Sequence, residues 1–375
     1  MNSPLESISI YFSQMTDPRN ASQVRYPLPE ILFLVLTALV CDCEDWEDVE
    51  DFGYDQLDWL RTHYPYEWGI PSHDTINRVM GMIDPHEFSQ NFSAWVSAWL
   101  QVSEQPLINI DGKTSRRSHN KHNDIKALHA VSAYGHNGGM VLGQVATAEK
   151  SNEITAIPVL LRMLSIKGAV ITIDAMGTQR AIAEQIIEAE GHYVLPVKGN
   201  QQTLLEEVED SFKRAEVTDT HETIEKNRSR IETRKVSVIN DLGWLSEPEK
   251  WPGLKQLVRI ERTRELLTEQ KTETETSFYI SSTGGTAGEL QAWVRGHWAI
   301  ENNLHWCLDM VFREDMDRKR SENAAHNIAL LRKAALNLLK AMKTFYPKMS
   351  MKRMRKQAAR NASFRKEILQ HLEMR

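Results

Sequence analysis

The chain has 375 residues, 41% of them hydrophobic and 26% charged, with a formal net charge of −6, enough for a sizeable core and two or three domains. Three cysteines, Cys41, Cys43 and Cys307, make neither a disulfide framework nor a metal quartet, so a reducing, cytoplasmic compartment is expected. Residues 1–6 lack a basic stretch ahead of an apolar one, and the longest apolar run, Ile31 to Val40, is far short of the roughly 20 residues a bilayer requires, so a soluble protein without a secretory leader is expected.

Residues 1–20 read as a loosely constrained lead-in. Arg25-Tyr26-Pro27-Leu28-Pro29-Glu30 opens an apolar helix reaching Cys41, with prolines where a helix start tolerates them. Trp46, Val49 and Phe52 keep helical spacing on an acidic background. Ser72 or Asp74 caps another helix, and Asp84-Pro85 opens a further one along Phe88, Phe92, Trp95 and Trp99. Residues 1–104 therefore read as a small all-helical domain. Residues 1–105 carry 17 acids against four arginines and no lysine, about −13. A helix-turn-helix over 70–90 is conceivable by pattern, but so acidic a segment favours plain packing helices.

From residue 107 the period changes to two. Leu107–Ile110 is an apolar strand ending in Asp111-Gly112, and Ala169–Ile173 repeats that shape before Asp174-Ala175-Met176-Gly177. Strands at 127–134 and 140–146 share a turn at His136-Asn137-Gly138-Gly139, and helices at 152–164 and 178–190 alternate with strands at 169–174 and 192–197. The order β-β-β-α-β-α-β predicts a mixed α/β sheet with helices on both faces, over 105–200. Residues 201–286 break that rhythm with strand-like alternation and read as a β-rich insertion. A helix over 287–308 follows, in which His297, Glu301, His305 and Asp309 stand four apart on one stripe. With an amphipathic helix from Ser321 to Leu339 it completes the core over 287–340. Residues 341–375 read as a basic tail; residues 313–375 hold 17 Lys/Arg against six acids, about +11, which suits a polyanion.

Two strand-end aspartates and a helix glutamate are the minimum for holding two Mg²⁺ ions roughly 3.5–4 Å apart, the arrangement that serves in-line attack on a phosphodiester. Spacing alone leaves structural roles open, because aspartates at strand ends are common.

The motifs together are more specific. Ile110-Asp111-Gly112-Lys113-Thr114, Lys150-Ser151-Asn152-Glu153-Ile154-Thr155-Ala156-Ile157-Pro158, Asp174-Ala175-Met176-Gly177, Val197-Lys198-Gly199-Asn200-Gln201 and His297-Trp298 through His305-Trp306 resemble the H-repeat-associated (Rhs-element-associated) transposases, insertion-sequence DDE enzymes of the ISAs type. Gly69–Thr75 and Trp46 with Asp48 and Phe52 extend the resemblance over nearly the whole chain. It implies an RNase H-like catalytic core with a β-rich insertion, an acidic triad of Asp111, Asp174 and Glu301, and Mg²⁺ (replaceable by Mn²⁺) as a pair of ions. It also implies double-stranded DNA as partner, both terminal inverted repeats and target, a homodimer on that DNA, and a bacterial cytoplasm with the nucleoid as workplace. The chain departs from the wider superfamily's Y-x2-R-x3-E-x6-K pattern, with Val294, His297 and Leu308 at the three support positions. His297 and His305 are the available substitutes, as phosphate contacts or to orient Glu301, against ordinary helix histidines. A zinc site from His297, Glu301 and His305 lacks a nameable further ligand. Lys113, Arg116, Arg117 and Lys198 are candidate phosphate contacts, and Trp244 or Trp251 could stack a flipped base, although core packing suits them better. The reading is a DNA transposase that cuts and joins strands; a silent domesticated DNA-binding protein and a simple metal nuclease are the alternatives.

Overall fold

The computed structural model describes residues 4–100, 106–119, 127–147, 153–227, 229–319 and 321–370; the Lys150-Ser151-Asn152 part of one motif lies outside them. The longest apolar run becomes helix α2 (Leu28–Val40), which is buried from Glu30 to Val40 because other helices pack on every side of it. Around it lie α1 (Pro4–Ser13), α3 (Trp46–Asp55), the short α4 (Leu57–Leu60), α5 (His73–Met82) and α6 (Pro85–Leu100). Local chemistry sets their starts. Asp45 and Asp48 form a reciprocal capping box on α3, and Ser72, rather than Asp74, caps α5.

The alternating segments form one nine-stranded sheet: β1 (Leu107–Thr114), β2 (His129–Gly135), β3 (Met140–Thr147), β4 (Val170–Ile173), β5 (His192–Val197), β6 (Asp219–Asn227), β7 (Arg230–Ile239), β8 (Gln256–Leu266) and β9 (Lys271–Ser281), in the order 3-2-1-4-5-9-8-7-6. β1, β2 and β3 are an antiparallel meander, and β4 and β5 continue it parallel to β1. That is the mixed, RNase H-like arrangement. α7 (Glu153–Arg162) and α8 (Arg180–Glu188) supply the crossovers.

The expected insertion is real as β-structure but is no separate layer. After α9 (Gln202–Arg214), β9 pairs antiparallel with β5 from Val194↔Ser281 to Val197↔Phe278, so β6–β9 extend the sheet of β1–β5. α10 (Ala287–Ile300), capped by Thr286 and Glu289, lies across one face of both halves. Leu290 joins Leu107, Val170, Val194, Val236 and Val258 in a small core beneath it. The other face carries the main core, which runs without interruption from Ile8 through Ile108 and Ile110 to Leu369. The helical region and the sheet thus share one interior.

The C-terminal region corrects the reading of a basic tail. α11 (Trp306–Met310) and α12 (Ala324–Ala341) precede two further helices, α13 (Met351–Arg360) and α14 (Ala362–Gln370), that pack back onto the N-terminal helices. Arg355 is fully buried and caps α2: its Nε donates to Leu39 O at 2.9 Å, its Nη1 donates to Val311 O, and Asp42 pairs with it at 3.0 Å. Arg365 sits over the Trp59 ring at 4.3 Å and donates to Gln56 Oε1 at 2.6 Å. These cations complete helix ends inside the protein and are not presented to a polyanion. Lys352, Arg353, Lys356 and Arg360 do remain exposed on one side of α13. No helix among the described residues is long and apolar enough to cross a membrane.

Candidate active site

β1 alternates, so Leu107, Asn109, Asp111 and Lys113 all face the long C-terminal helix. That helix meets them turn by turn. Gly296 lets α10 close down on Leu107, where a Cβ would overlap the leucine. Asn109 Nδ2 donates to Gly296 O at 2.8 Å and its Oδ1 accepts from the Thr172 hydroxyl at 2.8 Å. Asp309 takes Lys113 at 2.7 Å. Between those two fixings stand Asp111, Glu301 and His305, with one ligand atom from each lying within 4.8 Å of the others.

The helix is not regular here. A five-residue π turn, Glu301–His305, separates α10 from α11, closed by Trp306 N–H donating to Glu301 O. Such single wide turns alter the phase of the residues beyond them and are frequent at functional sites. His305 Nδ1 lies 3.3 Å from Glu301 Oε2 and 3.6 Å from Asp111 Oδ2. Its side chain is buried, whereas that of Glu301 is 52% exposed, so the group opens to solvent on the glutamate side. Burial, and after it the Glu301 charge, push the Asp111 carboxyl up to about 8. The hydrogen bond from His305 holds Glu301 down.

Asp174 follows β4 as Asp111 follows Ile110 in β1, and the parallel register Ile110↔Ile173 sets the two aspartates side by side. Asp174 is outside the tight group of three; its Oδ1 accepts from Gly177 N–H at 3.1 Å, which caps the small-residue turn. Asp111 and Glu301 thus lie together over β1, with Asp174 alongside on the neighbouring strand.

The remaining expected site residues separate. Lys113 is not a phosphate contact in this arrangement: its side chain is 12% exposed and its Nζ lies 2.7, 3.3 and 3.7 Å from Asp309, Asp315 and Glu314. Burial opposes its charge, and the three acids outweigh burial, so its pKa is raised. It ties β1 to the segment after α11. Arg116 is 82% exposed, 3.4 Å from Asp315, and Lys198 is exposed beyond β5. His297 Nδ1 lies 2.9 Å from the Thr172 hydroxyl, and burial lowers its pKa to about 4. It is a neutral ring locked to the sheet, which removes it from the suggested zinc set. Trp251 is in the core, and Trp244 is half-exposed against Arg214, 5.7 Å away.

Two features escaped the sequence reading. Trp298, Trp306 and Met310 are exposed on the stripe next to the acids, although their spacing of eight and four was available. On the opposite face of β1, His129 Nε2 and Glu153 Oε1 meet at 2.5 Å, both buried, and His129 Nδ1 is 2.8 Å from the Thr114 hydroxyl. Gly112 admits them, since a Cβ there would overlap both. Glu153 stood in a noted motif, but only the fold brings His129 to it.

A family described as "Transposase DDE domain" matches residues 102–338, and one described as "DDE_Tnp_1-associated" matches residues 9–96. The chain is 39% identical over 371 residues to "Putative transposase YncI" of Escherichia coli O157:H7, covering 97% of this chain and 95% of that one. It is 38% identical over 373 residues to "H repeat-associated putative transposase YhhI" of Escherichia coli strain K12, covering 97% and 98%. A solved structure, a cryo-EM piggyBac transposase synaptic complex with hairpin DNA, aligns with all of this chain and 83% of its own at 12% identity and a TM-score of 0.44. With both family descriptions matched and relatives covered end to end, the chain belongs to the DDE transposases, in their H-repeat-associated branch.

Proposed function

We propose that this insertion-sequence transposase cuts its element's ends and joins them to target DNA at the site formed by Asp111, Asp174 and Glu301, with Mg²⁺ as the working ion and Mn²⁺ as a substitute. The observation that carries the reading is the meeting of Asp111 and Glu301 over β1, open to solvent on one side. The donor set suits hard divalent ions: carboxylate oxygens from two elements, with a third carboxylate in register on the next strand. Mg²⁺ held there, as a pair of ions, supplies Lewis-acid charge at the scissile phosphate and at the attacking oxygen.

The chain's own residues do the rest. β1 and β4 fix the two aspartates, the Gly177 N–H orients Asp174, and His305 stands beside both Glu301 and Asp111. A bound cation's positive charge would favour the ionised form of Asp111. Arg116, Lys198 and the exposed cations of α13 are the phosphate contacts we assign, and Trp298 and Trp306 offer base-stacking faces beside the acids. The partners in this reading are terminal inverted repeats and target DNA, bound by a homodimer at the bacterial nucleoid.

Purified protein mixed with DNA carrying its element's ends tests this. Mg²⁺ or Mn²⁺ should support cutting and joining, and Ca²⁺ binding only, because the larger, looser ion aligns the reacting oxygens poorly. End binding should weaken steeply with salt. Wild-type protein that binds ends and never cuts is a silent DNA-binding protein; cutting without joining, with target supplied, makes it a nuclease.

A further inference from the structure

Resting on that reading, we propose that His305 is itself a metal donor, so that the site grips its ion by nitrogen as well as by carboxylate oxygen. Among the described residues, the group of potential ligands that lies within 4.8 Å is Asp111, Glu301 and His305, not the three acids. His305 Nδ1 is aimed between the two carboxylates, 3.3 Å from one and 3.6 Å from the other, where a bound cation would be shared by all three. The ring is buried, and its Nε2 has no hydrogen-bond partner among the described residues. Contacts through Nδ1 are thus what orient it. Residues 301 and 305 are the two ends of the π turn, which lies over β1. His297, one turn earlier on the same stripe, is committed to Thr172 and offers Nδ1 to nothing else. An ion arriving from the exposed Glu301 side finds the imidazole at the back of the site.

A mixed nitrogen and oxygen donor set carries a consequence that three carboxylates do not. Imidazole suits Zn²⁺ and Co²⁺ best, with Mn²⁺, first in the transition-metal order, between them and Mg²⁺ or Ca²⁺. Mn²⁺ should therefore bind this protein more tightly than Mg²⁺ by a margin that depends on His305, and Zn²⁺ should compete with both.

Mn²⁺ bound to the full-length protein, followed by electron paramagnetic resonance, separates a donor from a residue that merely orients Glu301. Nitrogen modulation of the Mn²⁺ signal is expected in wild type and in His297→Ala, and is lost in His305→Ala and His305→Gln. The glutamine variant keeps a hydrogen-bond donor for Glu301 without a ligating nitrogen, so a purely orienting role would be rescued by it. Mn²⁺ affinity should fall about 10- to 100-fold in both variants. Asp111→Asn supplies the site control. If Asp111→Asn weakens Mn²⁺ binding but the wild-type signal carries no nitrogen coupling, or the coupling survives His305→Ala, the donor role of His305 is overturned while the site stands. If Mn²⁺ binding ignores Asp111→Asn, the proposed metal site and the role of His305 within it both fall.

Discussion

Two histidine–carboxylate groups lie on opposite faces of β1, one residue apart, and the strand uses them differently. On the Asp111 face, His305 meets Glu301 and Asp111 at an edge open to solvent. On the Gly112 face, His129 and Glu153 meet at 2.5 Å with neither exposed. The closed group contains one carboxylate and one imidazole and pins β1, β2 and α7 together. The open group holds Asp111 largely buried beside a second carboxylate, and burial first, then the Glu301 charge, push Asp111 up, an arrangement that costs stability at neutral pH when no cation is present. The comparison teaches that residue type does not separate a site from a strut. Charge balance and access do: a strut is neutralised and sealed, and a site is left short of positive charge on its open side.

The comparison can be broken in several ways, and the largest expected effect is on catalysis. Asp111→Ala and Glu301→Ala should each lower DNA cutting on the order of 1,000-fold or more in a gel assay, with circular dichroism and end binding retained. Glu153→Ala should act on the fold. It leaves His129 buried beside a cavity and should cost about 3–5 kcal/mol in urea unfolding, with the remaining folded protein still cutting. A Glu153→Ala protein of full stability and no activity would move the closed group into the site. Gly112→Ala pushes a methyl between the same two side chains and should cost about 1–3 kcal/mol.

Asp111→Asn should do the opposite to stability. With its folded pKa raised to about 8, Asp111 contributes stability to metal-free protein that is present at low pH. That contribution is lost as pH rises from the unfolded carboxyl's ordinary value near 4 through 8, as the unfolded chain ionises first. The amide carries no such loss, so at pH 8 metal-free Asp111→Asn should be more stable than wild type by on the order of 1–3 kcal/mol, with the difference closing on acidification. Denaturant midpoints at pH 5 and 8 measure it. The smallest effects should be in DNA binding. Arg116→Ala and Lys198→Ala should each reduce the slope of log affinity against log salt by about 1. Lys113→Gln should leave that slope unchanged, because Asp309, Glu314 and Asp315 already hold the ammonium.

The sheet, the two strand-end aspartates and the glutamate helix were legible because each rests on a local pattern: period two, a terminal aspartate and small-residue turn, and period four. The stripe His297, Glu301, His305 and Asp309 does face β1 and β4, as its spacing required, but the partners differ at every step: Thr172, Asp111, Asp111 again, and Lys113. The pattern names a face and not what meets it. The basic C-terminus was the instructive miss. A run of Lys and Arg looks the same whether it greets phosphate or the end of α2, and only the packing of α13 shows that Arg355 does the latter.

By itself, the sequence determined the element types, the family motifs and the acids able to hold a metal, since all of these depend on neighbours within a few residues. Tertiary structure alone decided three things. It merged the insertion into the catalytic sheet through β5 and β9, turned Lys113 inward, and brought His305 to Asp111 across almost two hundred positions of chain. Each depends on which surfaces exclude water together, and a charge or an imidazole takes its role from the partner it meets there.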